Sequence, residues 1–97
     1  DDTNNSYSYI VLWSIIERIV KNIFASDAEE KNKLKNTLKN IYEEDKILFN
    51  LISALYEKRN SMIHGGNLMD IELDDINWIK LIVCDLLSRT FRKLKDN

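Results

Sequence analysis

The sequence predicts an all-α fold, a compact bundle of about four helices, and three observations carry that prediction. There is no proline, and the two glycines are adjacent, so the chain lacks the punctuation that turn-rich β folds need. Apolar residues recur at spacings of three and four over long stretches instead of alternating. At 97 residues the chain holds one domain, residues 1–97, and no second core.

The elements follow in order. From Tyr9, the row Ile10, Trp13, Ile16, Val20, Phe24 runs beside a second row, Val11, Ile15, Ile19, Ile23, and predicts a helix from about Ser6 to Phe24. Ser26-Asp27-Ala28-Glu29 offers a capping box, so a second helix is expected from near Asp27. That helix places Leu34, Leu38 and Ile41 on one side and Lys31, Lys33, Lys35 and Lys39 elsewhere, as an outer helix does. Glu43-Glu44-Asp45 then permits two readings. Asp45 can cap a third helix, or the row Leu34, Leu38, Ile41, Leu48, Ile52, Leu55 can run on as one long helix. In both, the pattern continues to Ile63 and His64 and stops at Gly65-Gly66. Asp74 is the expected cap of a last helix, about Asp75 to Lys95. Its residues Trp78, Ile79, Leu81, Ile82, Val83, Leu86 and Leu87 cover more than one face, and the surplus points to a second copy of the chain as partner.

Composition removes several classes of function. Fourteen Lys and Arg against sixteen Asp and Glu give a net charge of −2, unlike a uniformly basic nucleic-acid binder, although a local basic cleft stays open. One cysteine excludes an internal disulfide framework, and with one histidine it leaves too few ligands for a structural zinc. A reducing, cytoplasmic setting is expected. The stretch Trp78 to Leu87 contains Lys80 and Asp85 and is far short of the roughly 20 residues of a membrane span, so no membrane role is expected. Because residue 1 is Asp and not Met, the chain is expected to be a processed product or a domain cut from a longer protein, with flanking domains unknown. No acid cluster with metal spacing, phosphate-binding glycine loop or nucleophile elbow is visible, and no cofactor is implied.

Any histidine chemistry must use His64, the sole histidine. It ends the segment Tyr56-Glu57-Lys58-Arg59-Asn60-Ser61-Met62-Ile63-His64-Gly65-Gly66. Asn60 and His64 are four apart and share a helix face, whereas Arg59 and His64 diverge by roughly 140°. Arg59 must therefore bend back along the surface or meet the histidine of another subunit. Histidine exchanges a proton near neutral pH, arginine binds phosphate with two hydrogen bonds, and an asparagine amide orients. Together they supply what metal-free RNA cleavage needs: a base for the 2′-hydroxyl, a cation for the phosphate and an acid for the leaving 5′-oxygen. The plainer reading of His64 is a cap compensating the helix dipole.

Supporting candidates also carry two readings. Glu17 lies on the inward rows of the first helix, where it would pair with Arg59, or it faces water and pairs with Lys21. Tyr56 is expected in the core, with a dimer hydrogen bond or base stacking as alternatives. Lys58 adjoins the motif as a supporting residue. The lysines of the second helix form a solvated face or track an RNA backbone. Arg89, Arg92, Lys93 and Lys95 suit the negative end of the last helix, and Cys84 is expected to be buried packing.

The stretch Leu48 to Asn67, above all Leu55 to Gly65, resembles the HEPN superfamily of small helical bundles, and within it the Apea-like branch. Arg59, Asn60 and His64 fill the places of that family's motif, an arginine, a polar residue, then three further residues and a histidine at the end of a bundle helix. Tyr56 before the arginine and Gly65 after the histidine are similar to the branch, as is Leu12-Trp13-Ser14-Ile15-Ile16-Glu17 to its opening helix. The specific likeness covers some dozen residues around the motif, and the helical layout extends it. The resemblance implies a homodimer whose paired motifs form one composite active site. It also implies metal-independent endoribonuclease activity, in phage defence, toxin–antitoxin pairs or RNA processing. Other members of the family keep the fold as noncatalytic dimerisation or nucleotide- and RNA-binding modules of larger proteins, which is the alternative function.

Overall fold

The computed structural model describes residues 2–24, 33–64 and 71–96, which form four α-helices and one π-helical turn, with no strand among them. Helix α1 spans Asp2–Ile19 and passes directly into the π turn Val20–Phe24. It starts about a turn before the predicted Ser6. Tyr9, Trp13, Ile16 and Val20 form its buried stripe, while Ile10 is exposed. The stripe is centred on Tyr9 because that side chain can be buried whole: its hydroxyl donates to the Leu55 carbonyl oxygen, which satisfies its one polar atom.

Helix α2 spans Lys33–Ile41. The expected start near Asp27 and the Ser26–Glu29 capping box lie outside the described residues. Leu38 is buried, Leu34 and Ile41 are partly so, and Asn36, Lys39 and Asn40 face water, as an outer helix should. The two readings of the acidic step resolve into a break. Residues 42–44 turn, and helix α3 spans Lys46–His64. Asp45 caps it, its Oδ1 accepting the Leu48 amide at 3.2 Å and its carbonyl oxygen the Phe49 amide at 2.8 Å. The predicted stop at Gly65-Gly66 lies outside the described residues.

Helix α4 spans Leu73–Lys95, and its cap is Glu72 instead of the predicted Asp74. Glu72 has extended backbone, and its amide donates to Asp75 Oδ2 at 3.0 Å. Asp75 is three residues further on, the reach of a side chain turning back over the first turn, and Asp74 falls inside the helix. Ile76, Ile79, Ile82 and Leu86 form the buried face of α4.

The most extensive helix contact is that of α1 with α4. They run in the same direction: Asn5 Nδ2 donates to the Ile71 carbonyl oxygen at 3.0 Å near one end, and Lys93 Nζ lies 5.0 Å from the Phe24 ring centre at the other. Helix α3 runs back along α4, tied by Lys58 Nζ to Asp75 Oδ2 at 2.8 Å and, just before its start, by Arg89 to the Ile41 carbonyl. The shared core of Trp13, Ile16, Leu38, Tyr42, Ile79, Ile82 and Leu86 is nearly sealed from water. Truncating one of its large aliphatic members to alanine costs about 2–5 kcal/mol.

The apolar surplus of α4 stays outside. Trp78, Leu81, Leu87, Phe91 and Leu94 are exposed, as are Tyr7, Val11 and Ile15 on α1. Cys84 is exposed too, not packed as expected. It sits on the side of α4 turned away from Ile79, Ile82 and Leu86, since five residues of helix carry it well round from Ile79. Among the described residues no helix is long and apolar enough to cross a membrane.

Candidate active site

With Asp45 setting its start, α3 turns Ile52, Leu55, Tyr56 and Met62 inward. Arg59 falls on that same stripe, three and four residues after Tyr56 and Leu55, so its guanidinium enters the bundle where a charge must be compensated. The side chain keeps only 16% of its surface exposed. Compensation comes from four sides. Arg59 Nη2 pairs with Glu17 Oε1, and Nη1 donates to Asn60 Oδ1 at 3.1 Å. The guanidinium carbon lies 5.4 Å from the Tyr56 ring centre and 5.9 Å from that of Trp13.

The rings are themselves ordered. Trp13 meets Tyr56 edge-on at 5.8 Å and 73°, and Tyr9 meets Trp13 at 6.4 Å and 72°. Burial above all pushes the Tyr9 phenol up to about 12, so it stays protonated and keeps donating to Leu55. The guanidinium lies against this aromatic wall. A guanidinium has five N–H donors, and Glu17 and Asn60 engage two of its nitrogens, which leaves donors for an anion.

The structure thus brings together Arg59, Asn60, Glu17 and Tyr56. Of the two readings of Glu17, pairing with Arg59 holds; its side chain is still 44% exposed, so the cluster opens to solvent on that side. Tyr56 is core, as the plainer reading had it. His64 stands apart from them. It is the last residue of α3 and exposed, and its side chain hydrogen-bonds to none of the described residues. Five residues of helix place it about 7.5 Å further along the axis than Arg59. Arg59 reaches inward to Glu17 and does not bond His64, so a single chain does not assemble all three motif residues at one point.

Lys58 is engaged elsewhere. Its ion pair with Asp75 fastens α3 to α4, and Asp75 also holds the Glu72 amide. Sequence reasoning assigned Trp13 to the core alone and missed its second role as a wall for Arg59. The signal was available: an arginine on an inward stripe is stabilised by a ring as well as by a carboxylate, and Trp13 precedes Glu17 by one helical turn. No group of His, Cys, Asp and Glu able to hold a metal ion occurs among the described residues. No family model, curated protein or solved structure matches the chain.

Proposed function

We propose that the chain is a metal-independent endoribonuclease of HEPN type that cleaves single-stranded RNA and acts as a homodimer. The observation that carries this reading is the guanidinium of Arg59, nearly buried and held by Glu17, Asn60 and two aromatic rings, on the helix that ends in a solvent-facing His64.

In this mechanism His64 takes the proton of an RNA 2′-hydroxyl, and the 2′-oxygen attacks the adjacent phosphorus. Arg59 stabilises the phosphorane through its remaining N–H donors, and Asn60 orients the guanidinium or the substrate. The P–O5′ bond breaks, and the leaving oxygen takes a proton from the second copy's histidine. The products carry a 2′,3′-cyclic phosphate and a 5′-hydroxyl.

A second copy supplies what one protomer lacks. Ile63, Leu73, Trp78 and Leu81 are exposed where α3 ends and α4 begins, a region that the Lys58–Asp75 pair holds together. Covering this patch across a two-fold axis brings the two His64 side chains toward one cleft. Dimerisation thus runs through α3 and α4.

Purified protein incubated with an unstructured RNA tests the reading. Cleavage with cyclic-phosphate ends, unaffected by chelator, absent on DNA and lost in His64→Ala, is expected. If the native protein leaves RNA intact, or if His64→Ala cuts equally well, the enzyme reading fails and the noncatalytic dimerisation or binding module replaces it.

A further inference from the structure

Helices α2 and α3 leave between them a groove of about 220 Å³. Its walls are apolar and aromatic, with Phe49, Ile52 and Tyr56 from α3 facing Leu38 from α2. Lys35 and Lys39 stand at its edge, four residues apart and so on one face of α2, against one carboxylate, Glu57. Tyr56 belongs both to this groove and to the aromatic wall under Arg59, so the groove adjoins the candidate active site.

Size and charge limit the occupant. A helix, about 10–12 Å across with its side chains, is too wide for this volume, whereas a single flat ring is not. Two lysines beside an aromatic wall suit a ring that carries an anion. We propose that the groove is a base subsite: it takes one unpaired nucleobase of the RNA against Phe49 and Tyr56, while Lys35 and Lys39 hold the adjoining phosphate. This rests on the ribonuclease reading and deepens it, because a base can enter the groove only when it is not paired. The preference for single strands then has a structural cause, as in other sites that stack bases on aromatic side chains.

The test separates binding from cleavage. Adenosine 5′-monophosphate titrated into the full chain is expected to shift the ring resonances of Phe49 and Tyr56. A 2′-O-methyl hexanucleotide, which cannot be cleaved, is expected to bind about tenfold or more weakly to the double variant Lys35→Ala/Lys39→Ala. The slope of log affinity against log salt should fall by about 0.7 when the contact with that one phosphate is lost from a single strand. Ser53→Leu, which fills the groove from its wall, should remove the mononucleotide shifts, with circular dichroism as the check on folding.

Unchanged hexanucleotide affinity in the lysine variant, or mononucleotide shifts confined to other helices, overturns the subsite. If both variants cut RNA at the native rate, the subsite falls and the ribonuclease reading stands. If the mononucleotide binds in the groove of a protein that never cuts RNA, the groove is confirmed as a nucleotide site and the ribonuclease reading falls.

Discussion

Two arginines in this bundle have nearly the same neighbours and different consequences. Each lies against a tyrosine ring and pairs with a carboxylate: Arg59 with Tyr56 and Glu17, Arg89 with Tyr42 and Asp85. At the α2–α4 corner one carboxylate oxygen ties the other two groups together. Asp85 Oδ2 accepts from Tyr42 at 2.5 Å and from Arg89 Nε at 2.7 Å, and Arg89 also donates to the Ile41 carbonyl oxygen at 3.3 Å. Burial, then the hydrogen bond and charge of Asp85, hold the Tyr42 phenol far above its ordinary range. That cluster is a clamp between helices. At the α1–α3 contact, Arg59 has a half-exposed partner in Glu17, an asparagine beside it and a histidine one turn beyond. Each arginine uses two of its five N–H donors, so neither the tyrosine nor the spare donors tells the two apart. The residues beside them do, a carboxylate that also ties a phenol in one case and an asparagine with a nearby histidine in the other.

Substitutions should separate the two clusters. The largest effect is expected from His64→Ala, which should lower RNA cleavage by about 10²–10⁴. Its melting temperature should move by at most a few degrees, because an exposed side chain is removed. A comparable loss of stability in that variant would break the contrast.

Asp85→Ala should act the other way round. It leaves the Tyr42 hydroxyl and Arg89 without their acceptor and should cost about 2 kcal/mol, or roughly 10 °C in melting temperature. Cleavage per folded molecule should be unaffected, which a stability-corrected rate measures.

Alkaline titration gives a smaller effect and sharpens the picture. Tyr9 and Tyr42 are both held protonated in the native state, while the unfolded chain loses these protons near pH 10. The native state therefore binds more protons above pH 10, and stability falls as pH rises from 10 toward 12, by up to about 1.4 kcal/mol per unit for each tyrosine. Tyr42→Phe should flatten part of that slope in denaturant melts read at successive pH values. An unchanged slope would mean that neither burial nor Asp85 holds the Tyr42 phenol protonated. The smallest effect belongs to Glu17→Gln, which removes the charge of the half-exposed partner of Arg59 but keeps a side-chain oxygen as acceptor, and should cost about 1 kcal/mol. A loss as large as that of Asp85→Ala would erase the distinction between the clusters.

Much of this architecture was legible from residue order. The helical spacing of α1 and α3 and the cap at Asp45, one of two readings of the acidic step, rest on periodicity and on side-chain chemistry within one turn. The pairing of Glu17 with Arg59, 42 positions apart, was one of two readings that only the packing of the helices decided. The Tyr42–Asp85–Arg89 clamp was not legible, because Tyr42 and Asp85 are 43 positions apart and meet only where α3 runs back along α4. The Glu72 cap was missed since Glu72, Asp74 and Asp75 offer competing starts, and only the choice of Asp75 as the acceptor of the Glu72 amide decides among them.

By itself, the sequence determined that the chain is helical, where its helices carry apolar faces, and that Arg59, Asn60 and His64 share the end of one of them. These depend on spacing along a 3.6-residue period, which is a local property. The tertiary structure decided which of several apolar faces became core, which left Ile10, Trp78, Leu81 and Cys84 outside, and that Arg59 reaches inward to α1 while His64 faces solvent. Those choices depend on how four helices share too little interior for all their apolar surface, a competition among distant segments that no local pattern records.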